Sequence, residues 1–117
     1  MKKIYYLSSC NTCTRIINEL HLPEEFVLQD IKTDAITAVQ IEEMRSLTDS
    51  YESLFSKRAR LYKELGLKDK SLSEDVLKSY ILEHYTFLKR PVILLNNQIF
   101  IGNSKKTVEA AKLAIHE

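Results

Sequence analysis

The two cysteines of the chain are the residues whose types and spacing most directly suggest chemistry. Cys10 and Cys13 are its only cysteines, and they lie three residues apart where a predicted strand meets a predicted helix. At a helix start, unpaired backbone N–H groups and the helix dipole favour a thiolate over a thiol. Since the thiolate is the reactive form, this placement predicts that Cys10 is a nucleophile and that Cys13 can close a disulfide with it.

Zinc binding and simple burial are the alternative interpretations of this cysteine pair. A structural zinc site usually needs two paired clusters of ligands, and the three histidines of the chain are scattered. We therefore favour redox chemistry and predict no metal site. Free cysteines are also often small buried hydrophobic residues, which suits Cys13, on the apolar side of the predicted helix, better than Cys10.

Composition predicts one globular domain of 117 residues, with 44% hydrophobic residues to build a core. The net charge of +1 gives no reason to expect direct nucleic-acid or membrane binding. No apolar run approaches the roughly 18 residues that a membrane span needs. We expect a cytoplasmic protein, and in that reducing compartment a close cysteine pair is more often catalytic or redox-active than structural.

Hydrophobic periodicity and capping signals predict the order of the elements. Thr37 and Gln40 form a capping-box pair, and Asn96-Asn97 between two apolar runs indicates a hairpin. Strands are predicted at residues 4–7, 26–28, 92–95 and 98–101, and helices at 11–20, from 37, at 51–55, at 60–65, from 73 and from 104. The first two strands, joined by a helix, should be parallel.

This order predicts an α/β, thioredoxin-like fold with a four-stranded mixed sheet (βαβ…ββα) and a helical insert between the second and third strands. We expect a single domain over residues 1–117. Its thioredoxin-like halves cover about 1–32 and 89–117, and the helical insert covers about 33–88.

Over nearly its whole length the chain resembles the family of arsenate reductases (ArsC) and Spx regulators. The resemblance lies in motifs that occur in the same order in both: Cys10-Asn11-Thr12-Cys13, Ser56-Lys57-Arg58, Tyr62-Lys63-Glu64-Leu65-Gly66-Leu67, Arg90-Pro91-Val92-Ile93 and Gly102 before the last helix. A CxxC pair alone is a weak motif, whereas the ordered set is much more specific.

The resemblance implies a thiol-dependent oxidoreductase. In the reductases one cysteine attacks arsenate and arginines hold the oxyanion, and a proline after one arginine is cis and faces the cysteine loop. The residues that match these roles are Cys10 as nucleophile, Arg90 and Arg58 as oxyanion ligands, and Asn11, Thr12 and Pro91 as substrate-binding residues. Asn11 and Thr12 are also expected to cap the first helix.

Two positions differ from the single-cysteine reductases. Where the enzymes often place a further arginine before the last helix, this chain has Asn103, followed by Lys105 and Lys106, which lack the bidentate geometry of arginine. Cys13 is absent from those enzymes, and it is expected either to resolve a mixed disulfide or to form a redox switch. The expected substrate is a small oxyanion or a disulfide. No bound cofactor is expected, and glutathione with glutaredoxin, or thioredoxin, would be the external electron donor.

The alternative is an Spx-like, redox-sensing transcriptional regulator that binds the RNA polymerase α-subunit. Cys10 and Cys13 would then form a disulfide that changes a protein-binding surface. In Spx regulators a glycine of the insert contributes to α-subunit binding, and the matching position here is Ser50. This difference favours the reductase.

Overall fold

The computed structural model describes all 117 residues, which divide into two compact units. The first unit contains Met1–Asp34 and Arg90–Glu117, and the second contains Ala35–Lys89. That the two form a single domain stays a prediction. The strands are β1 (Lys2–Tyr6), β2 (Val27–Asp30), β3 (Val92–Leu95) and β4 (Gln98–Ile101), and the helices are α1 (Asn11–Leu20), α2 (Ala38–Ser46), α3 (Arg60–Glu64), α4 (Glu74–Glu83) and α5 (Lys105–Ile115).

A four-stranded mixed sheet in the order β2-β1-β3-β4 forms the centre of the first unit. β1 and β2 are parallel, whereas β3 is antiparallel to both β1 and β4. Asn96, the first residue of the β3–β4 turn, has a φ of 55°, a left-handed conformation that asparagine tolerates. The α/β, thioredoxin-like fold prediction is therefore confirmed for the sheet and its strand directions.

The core of the first unit lies between one face of the sheet and helices α1 and α5. Ile4 of β1 and Ile93 of β3 pack there against Ile16 and Leu20 of α1 and against Val108 and Ala111 of α5. These side chains are almost fully buried, and each large one contributes about 1.5–3 kcal/mol to folding. The alternation of strand side chains also explains why Tyr5 is buried while Tyr6 is only half-buried.

Backbone conformation and capping hydrogen bonds explain where α1 ends and where α5 begins. His21 ends α1 in the left-handed conformation, with a φ of 51°, and Pro23 follows two residues later. The Ser104 hydroxyl caps α5 by accepting a hydrogen bond from the backbone N–H of Thr107 at 3.2 Å. His116, just after α5, lies with its Nε2 2.7 Å from the Leu20 carbonyl oxygen, so the ring N–H can satisfy one free carbonyl of α1.

The predicted bounds of two strands are wrong by one or two residues. Leu7 lies outside β1, and β2 starts one residue after Phe26 and continues to Asp30. The apolar run that marked β2 is shorter than the strand because Gln29 and Asp30 continue the ladder opposite Tyr5 and Tyr6. The carboxyl end of β2 therefore carries a polar residue beside the end of β1.

The second unit contains α2, α3 and α4. The capping box of α2 is present as predicted: Thr37 Oγ1 accepts from the Gln40 backbone N–H at 3.1 Å, and Gln40 Oε1 accepts from the Thr37 N–H at 3.1 Å. Helix α4 buries Leu77 and Ile81. Val76 is 39% exposed, because its direction lies about 100° around the helix from that of Leu77.

Two further contacts hold the non-helical segments of the second unit. The Phe55 and Phe87 rings stack with centroids 5.3 Å apart, next to an isolated antiparallel bridge between Phe55 and Leu88. The Glu74 carboxylate, in the first turn of α4, accepts the backbone N–H of Tyr51 at 2.7 Å and of Glu52 at 3.2 Å. None of the helices in either unit has the length and apolar character that crossing a membrane would require.

Candidate functional site

The junction between β1 and α1 places Cys10 directly before the first helical residue, Asn11. A tight turn, closed by the hydrogen bond from the Cys10 N–H to the Leu7 carbonyl at 3.0 Å, connects the strand to the helix. Cys10 is the N-cap of α1, with extended backbone angles (φ −97°, ψ 113°) and no side-chain capping bond. The prediction that Asn11 and Thr12 cap the helix is wrong, because both already lie in its first turn.

The two thiols are free and differ in exposure. The side chain of Cys10 is half-exposed, whereas that of Cys13 is 1% exposed and faces the core side of α1. The three-residue spacing explains the difference, since Cys13 continues the buried stripe of Ile16 and Leu20. Only Cys10 is therefore accessible to a substrate from solvent in the structure.

The pKa of the Cys10 thiol is lowered below its ordinary value. Burial alone would raise this pKa, but hydrogen bonds from the backbone of Cys13 and Thr12 and from the Cys13 thiol stabilise the thiolate. The positive charge of Arg90 adds to this effect. These donors are the unpaired N–H groups of the first helical turn, so the local fold itself activates Cys10.

The pKa of the Cys13 thiol is shifted the other way, to about 11. Burial is the main cause, and it outweighs a backbone hydrogen bond from Leu7. The neighbouring Cys10, as a negative charge and as a hydrogen-bond partner, raises the pKa further, while Arg90 lowers it. The outer thiol, Cys10, is therefore easier to ionise than an ordinary cysteine, whereas the inner thiol, Cys13, stays protonated at neutral pH.

Arg90 and Pro91 lie directly before β3, in the same unit as the cysteines. The Arg90–Pro91 peptide bond is cis, and Pro91 is buried while Arg90 is half-buried. The Pro91 carbonyl accepts the N–H of Gly102 at 2.9 Å, which ties the start of β3 to the end of β4. The structure thus brings together Cys10, Thr12, Cys13 and Arg90 through the effects described above, although their roles toward a substrate stay predictions.

Three of the remaining predicted residues are exposed. Asn11 is exposed on the first turn of α1, and Arg58 is exposed in a turn before α3, in the second unit. Asn103 is exposed between Gly102, whose φ is +93°, and the capping residue Ser104. Asn11 and Asn103 belong to the first unit, whereas Arg58 belongs to the second, so its part in the site stays a prediction.

Sequence reasoning missed two residues beside the cysteine loop, Ser8 and Asp30. The Asp30 carboxylate accepts hydrogen bonds from the Ser8 hydroxyl, from the Ser8 N–H at 3.4 Å and from the Lys32 N–H at 3.2 Å. The only signal in the sequence was an aspartate close after an apolar run. No group of three or more His, Cys, Asp or Glu side chains is arranged to hold a metal ion.

Comparison with known proteins finds similarity to both kinds of protein that the motifs resemble, arsenate reductases and Spx regulators. It is 40% identical to the arsenate reductase of Neisseria meningitidis over 50 residues, which are 43% of each chain. It is 24% identical to the global transcriptional regulator Spx 1 of Bacillus cereus over 112 residues, covering 92% of this chain and 84% of the regulator.

A solved structure supports the fold. The arsenate reductase from Vibrio cholerae superposes on the chain with a TM-score of 0.73 at 23% identity, covering 97% of this chain and 96% of the reductase. At this identity the likeness establishes the shared fold alone. The sequence profile of the ArsC family matches residues 5–111, which include Cys10, Cys13, Arg90 and Pro91. The chain is therefore a member of the ArsC family.

Proposed function

We propose that this chain is a thiol-dependent oxidoreductase in which Cys10 attacks an oxidised substrate, arsenate or a related oxyanion or disulfide, and Cys13 resolves the product. The observation that carries the proposal is the opposite shift of two neighbouring thiols: the pKa of half-exposed Cys10 is lowered, and that of buried Cys13 is raised to about 11. A lowered pKa suits an attacking thiol, whereas a protonated inner thiol does not compete for substrate.

The first step is attack on the substrate by the Cys10 thiolate. With arsenate, a sulfur–arsenic bond forms and one arsenic-bound hydroxyl leaves as water after taking a proton from solvent. Arg90, whose charge already lowers the pKa of Cys10, would balance the negative charge of the oxyanion. Arg58 is the second proposed oxyanion ligand, and Asn11, Thr12 and Pro91 are the proposed substrate contacts.

In the second step a thiol attacks the Cys10 sulfur. A sulfur–sulfur bond forms, the sulfur–arsenic bond breaks, and its electron pair stays on arsenic, which changes from As(V) to As(III). Once Cys10 is bound to arsenic it no longer carries the negative charge that helps to raise the pKa of Cys13. Cys13, which lies next to Cys10, is the proposed attacking thiol, and an external dithiol, or glutathione with glutaredoxin, then reduces the Cys10–Cys13 disulfide.

Arsenate and disulfide turnover in the presence of each donor tests this function. Cys10→Ser should abolish turnover with every donor, since it removes the attacking sulfur. Cys13→Ser should lose turnover with thioredoxin but keep part of it with glutathione, because an external thiol can attack Cys10 in place of Cys13. Full arsenate and disulfide turnover by Cys10→Ser would refute the proposal.

The Spx-like regulator is the second candidate, favoured by the CxxC pair and by the similarity to Spx 1 along nearly the whole chain. One feature of the structure weighs against binding of the RNA polymerase α-subunit. The Ser50 hydroxyl accepts the Ser53 N–H at 3.1 Å, and the Ser50 carbonyl accepts the Ser53 hydroxyl at 2.6 Å. A glycine at position 50 would lack the first of these bonds.

A binding assay with purified α-subunit separates the two candidates. The reductase predicts no complex with either the reduced or the oxidised chain, together with turnover that depends on Cys10. Tight binding that changes with the Cys10–Cys13 redox state, in the absence of turnover, would instead support the regulator. Ser50→Gly is the matched variant, since it restores the glycine that the regulators use.

A further inference from the structure

The end of β2 is joined to the cysteine loop by the Asp30 carboxylate. One carboxylate oxygen accepts the Ser8 hydroxyl, and the other accepts the Ser8 N–H at 3.4 Å and the Lys32 N–H at 3.2 Å. The hydrogen bond from the Ser8 hydroxyl is the main reason why the pKa of Asp30 is lowered, so this carboxylate is ionised at neutral pH. The Ser8 hydroxyl is therefore held by a charged acceptor, which makes the stronger kind of hydrogen bond, and the Ser8 N–H adds a longer contact to the same carboxylate.

Asp30 is itself held in a defined position. It pairs with Tyr6 in the parallel ladder of β1 and β2, and its carbonyl accepts the backbone N–H groups of Thr33 at 3.2 Å and Asp34 at 2.9 Å. The backbone of Asp30 is therefore fixed by strand pairing and by the closed turn that follows it. Because its backbone is fixed in this way, the Asp30 carboxylate can hold Ser8 in a defined position relative to the sheet.

Ser8 lies inside the turn that presents Cys10. The turn is closed by the hydrogen bond from the Cys10 N–H to the Leu7 carbonyl at 3.0 Å, so Ser8 and Ser9 are its two central residues. A shift of this turn would move the Cys10 sulfur away from the N–H groups of Thr12 and Cys13, which belong to the helix. Hydrogen bonds weaken steeply as they lengthen or bend, so a small displacement of the turn is enough to weaken the bonds to the Cys10 sulfur.

We propose that Asp30 is a positioning residue for Cys10: by holding Ser8, it fixes the Leu7–Cys10 turn so that the Cys10 sulfur keeps its backbone hydrogen bonds. The proposal concerns the nucleophile of the proposed function and rests on it. Asp30 is not among the groups that shift the pKa of the Cys10 thiol directly. It acts through Ser8, over a sequence separation of 22 residues.

Charge and geometry make opposite predictions for Asp30. As a nearby negative charge, the carboxylate would disfavour a second negative charge on Cys10, so its removal would favour the thiolate. As a positioning group, the Asp30 carboxylate favours the Cys10 thiolate, so its removal would make the thiolate less stable. Whether substitution of Asp30 raises or lowers the fraction of Cys10 thiolate therefore separates the two roles.

The rate of Cys10 alkylation by iodoacetamide, measured from pH 5 to 10 on the reduced full chain, tests the proposal. Buried Cys13, whose pKa is raised to about 11, contributes little to the signal. Ser8→Ala and Asp30→Ala should slow alkylation at pH 7 by roughly three- to tenfold, the change expected when one or two hydrogen bonds to a thiolate are weakened. Asp30→Asn, whose amide oxygen still accepts from Ser8, should stay close to wild type.

Ser9→Ala is the matched control, since Ser9 occupies the same turn and its hydroxyl makes no hydrogen bond in the structure, so it should react like wild type. Circular dichroism spectra and thermal unfolding curves establish that each variant is folded. Faster alkylation of both Asp30 variants would overturn the proposal in favour of a charge effect, and equal rates in all variants would overturn it altogether. Alkylation reports the thiolate itself, so full arsenate and disulfide turnover by Cys10→Ser would refute the proposed function without deciding this test.

Discussion

At the scale of single residues, the chemistry of the chain depends on how differently two identical side chains are solvated. Cys10 meets the N–H groups of a helix start and the charge of Arg90, whereas Cys13, three residues later, is turned into the core. The helical period alone produces this contrast, because a residue before the helix and one in its first turn face different surroundings. A CxxC pair at a helix start thus gives its two thiols different exposure and different pKa values.

Arg90→Ala should raise the pKa of Cys10 and slow its alkylation at pH 7, because a guanidinium charge that favours the thiolate is lost. Arg90→Lys, which keeps a charge, should retain part of the effect. Arg15→Ala is the control, since Arg15 is an exposed cation on α1 that pairs with Glu19 at 3.8 Å. An Arg90→Ala rate equal to that of wild type would show that the charge does not reach the thiolate.

The raised pKa of Cys13 predicts how stability depends on alkaline pH. Above pH 9.0 the unfolded chain ionises this thiol while the folded chain keeps its proton until about pH 11. The free energy of unfolding should therefore be unaffected by Cys13 below pH 9 and fall by roughly 2–3 kcal/mol as the pH rises to 11. Urea titrations of the reduced protein measure this slope, and Cys13→Ala should make it shallower. An equally steep slope in both proteins would assign it to other groups.

At the scale of elements, helix ends determine where the site and its supports lie. Helix α1 is capped by Cys10 at its start and by His21 at its end, and its last turn is held by the contact between His116 and the Leu20 carbonyl. Helix α5 starts after the serine cap Ser104, three residues beyond the end of β4. Since the first turn of α1 supplies the donors for Cys10, anything that stabilises this helix also stabilises the site.

His21→Gly should stabilise the protein by about 0.5–1 kcal/mol. His21 has a φ of 51°, where a side chain is disfavoured and glycine is not. His21→Ala, which keeps the steric cost of a Cβ, should not show this gain. Thermal unfolding of the three proteins provides the comparison, and equal melting temperatures for the glycine and alanine variants would contradict the backbone explanation.

At the scale of the whole molecule, one apolar layer attaches α1 and α5 to the sheet. Ile16 is 1% exposed within that layer, whereas its neighbour Ile17 is only partly buried at the edge of the layer. The same layer positions the helix start that carries Cys10, so the core and the site are not independent. The second unit has a separate set of buried residues that includes Ile41, Met44 and Phe87.

Ile16→Ala should lower the free energy of unfolding by about 2–5 kcal/mol, since it leaves a cavity in a packed layer, and Ile16→Val by about 0.5–1.5 kcal/mol. Ile17→Ala is the matched control on the same helix and should cost clearly less than Ile16→Ala. Urea unfolding followed by circular dichroism measures all three. A cost for Ile17→Ala as large as that for Ile16→Ala would contradict the assignment of the buried face.

The predictable part of the fold and site was the part encoded by local patterns. Period, caps and the asparagine turn located the helices and the hairpin, and the placement of Cys10 followed from the chain turning into a helix there. The contact between Asp30 and Ser8 could not be predicted, because it depends on the register of β1 against β2. The exposure of Val76 could not be predicted for a related reason, since an apolar residue type alone does not tell which side of a helix packs against a neighbour.

The burial of Cys13 also has a practical consequence. Because only one of the two sulfurs is open to solvent, a fluorophore or nitroxide bearing a maleimide should attach at position 10 alone in the native, reduced chain, without a single-cysteine variant. Peptide mass mapping would verify one modified site, and labelling under denaturing conditions would then report two. The wild-type protein thus carries its own attachment point for spectroscopic distance measurements at the mouth of the proposed active site.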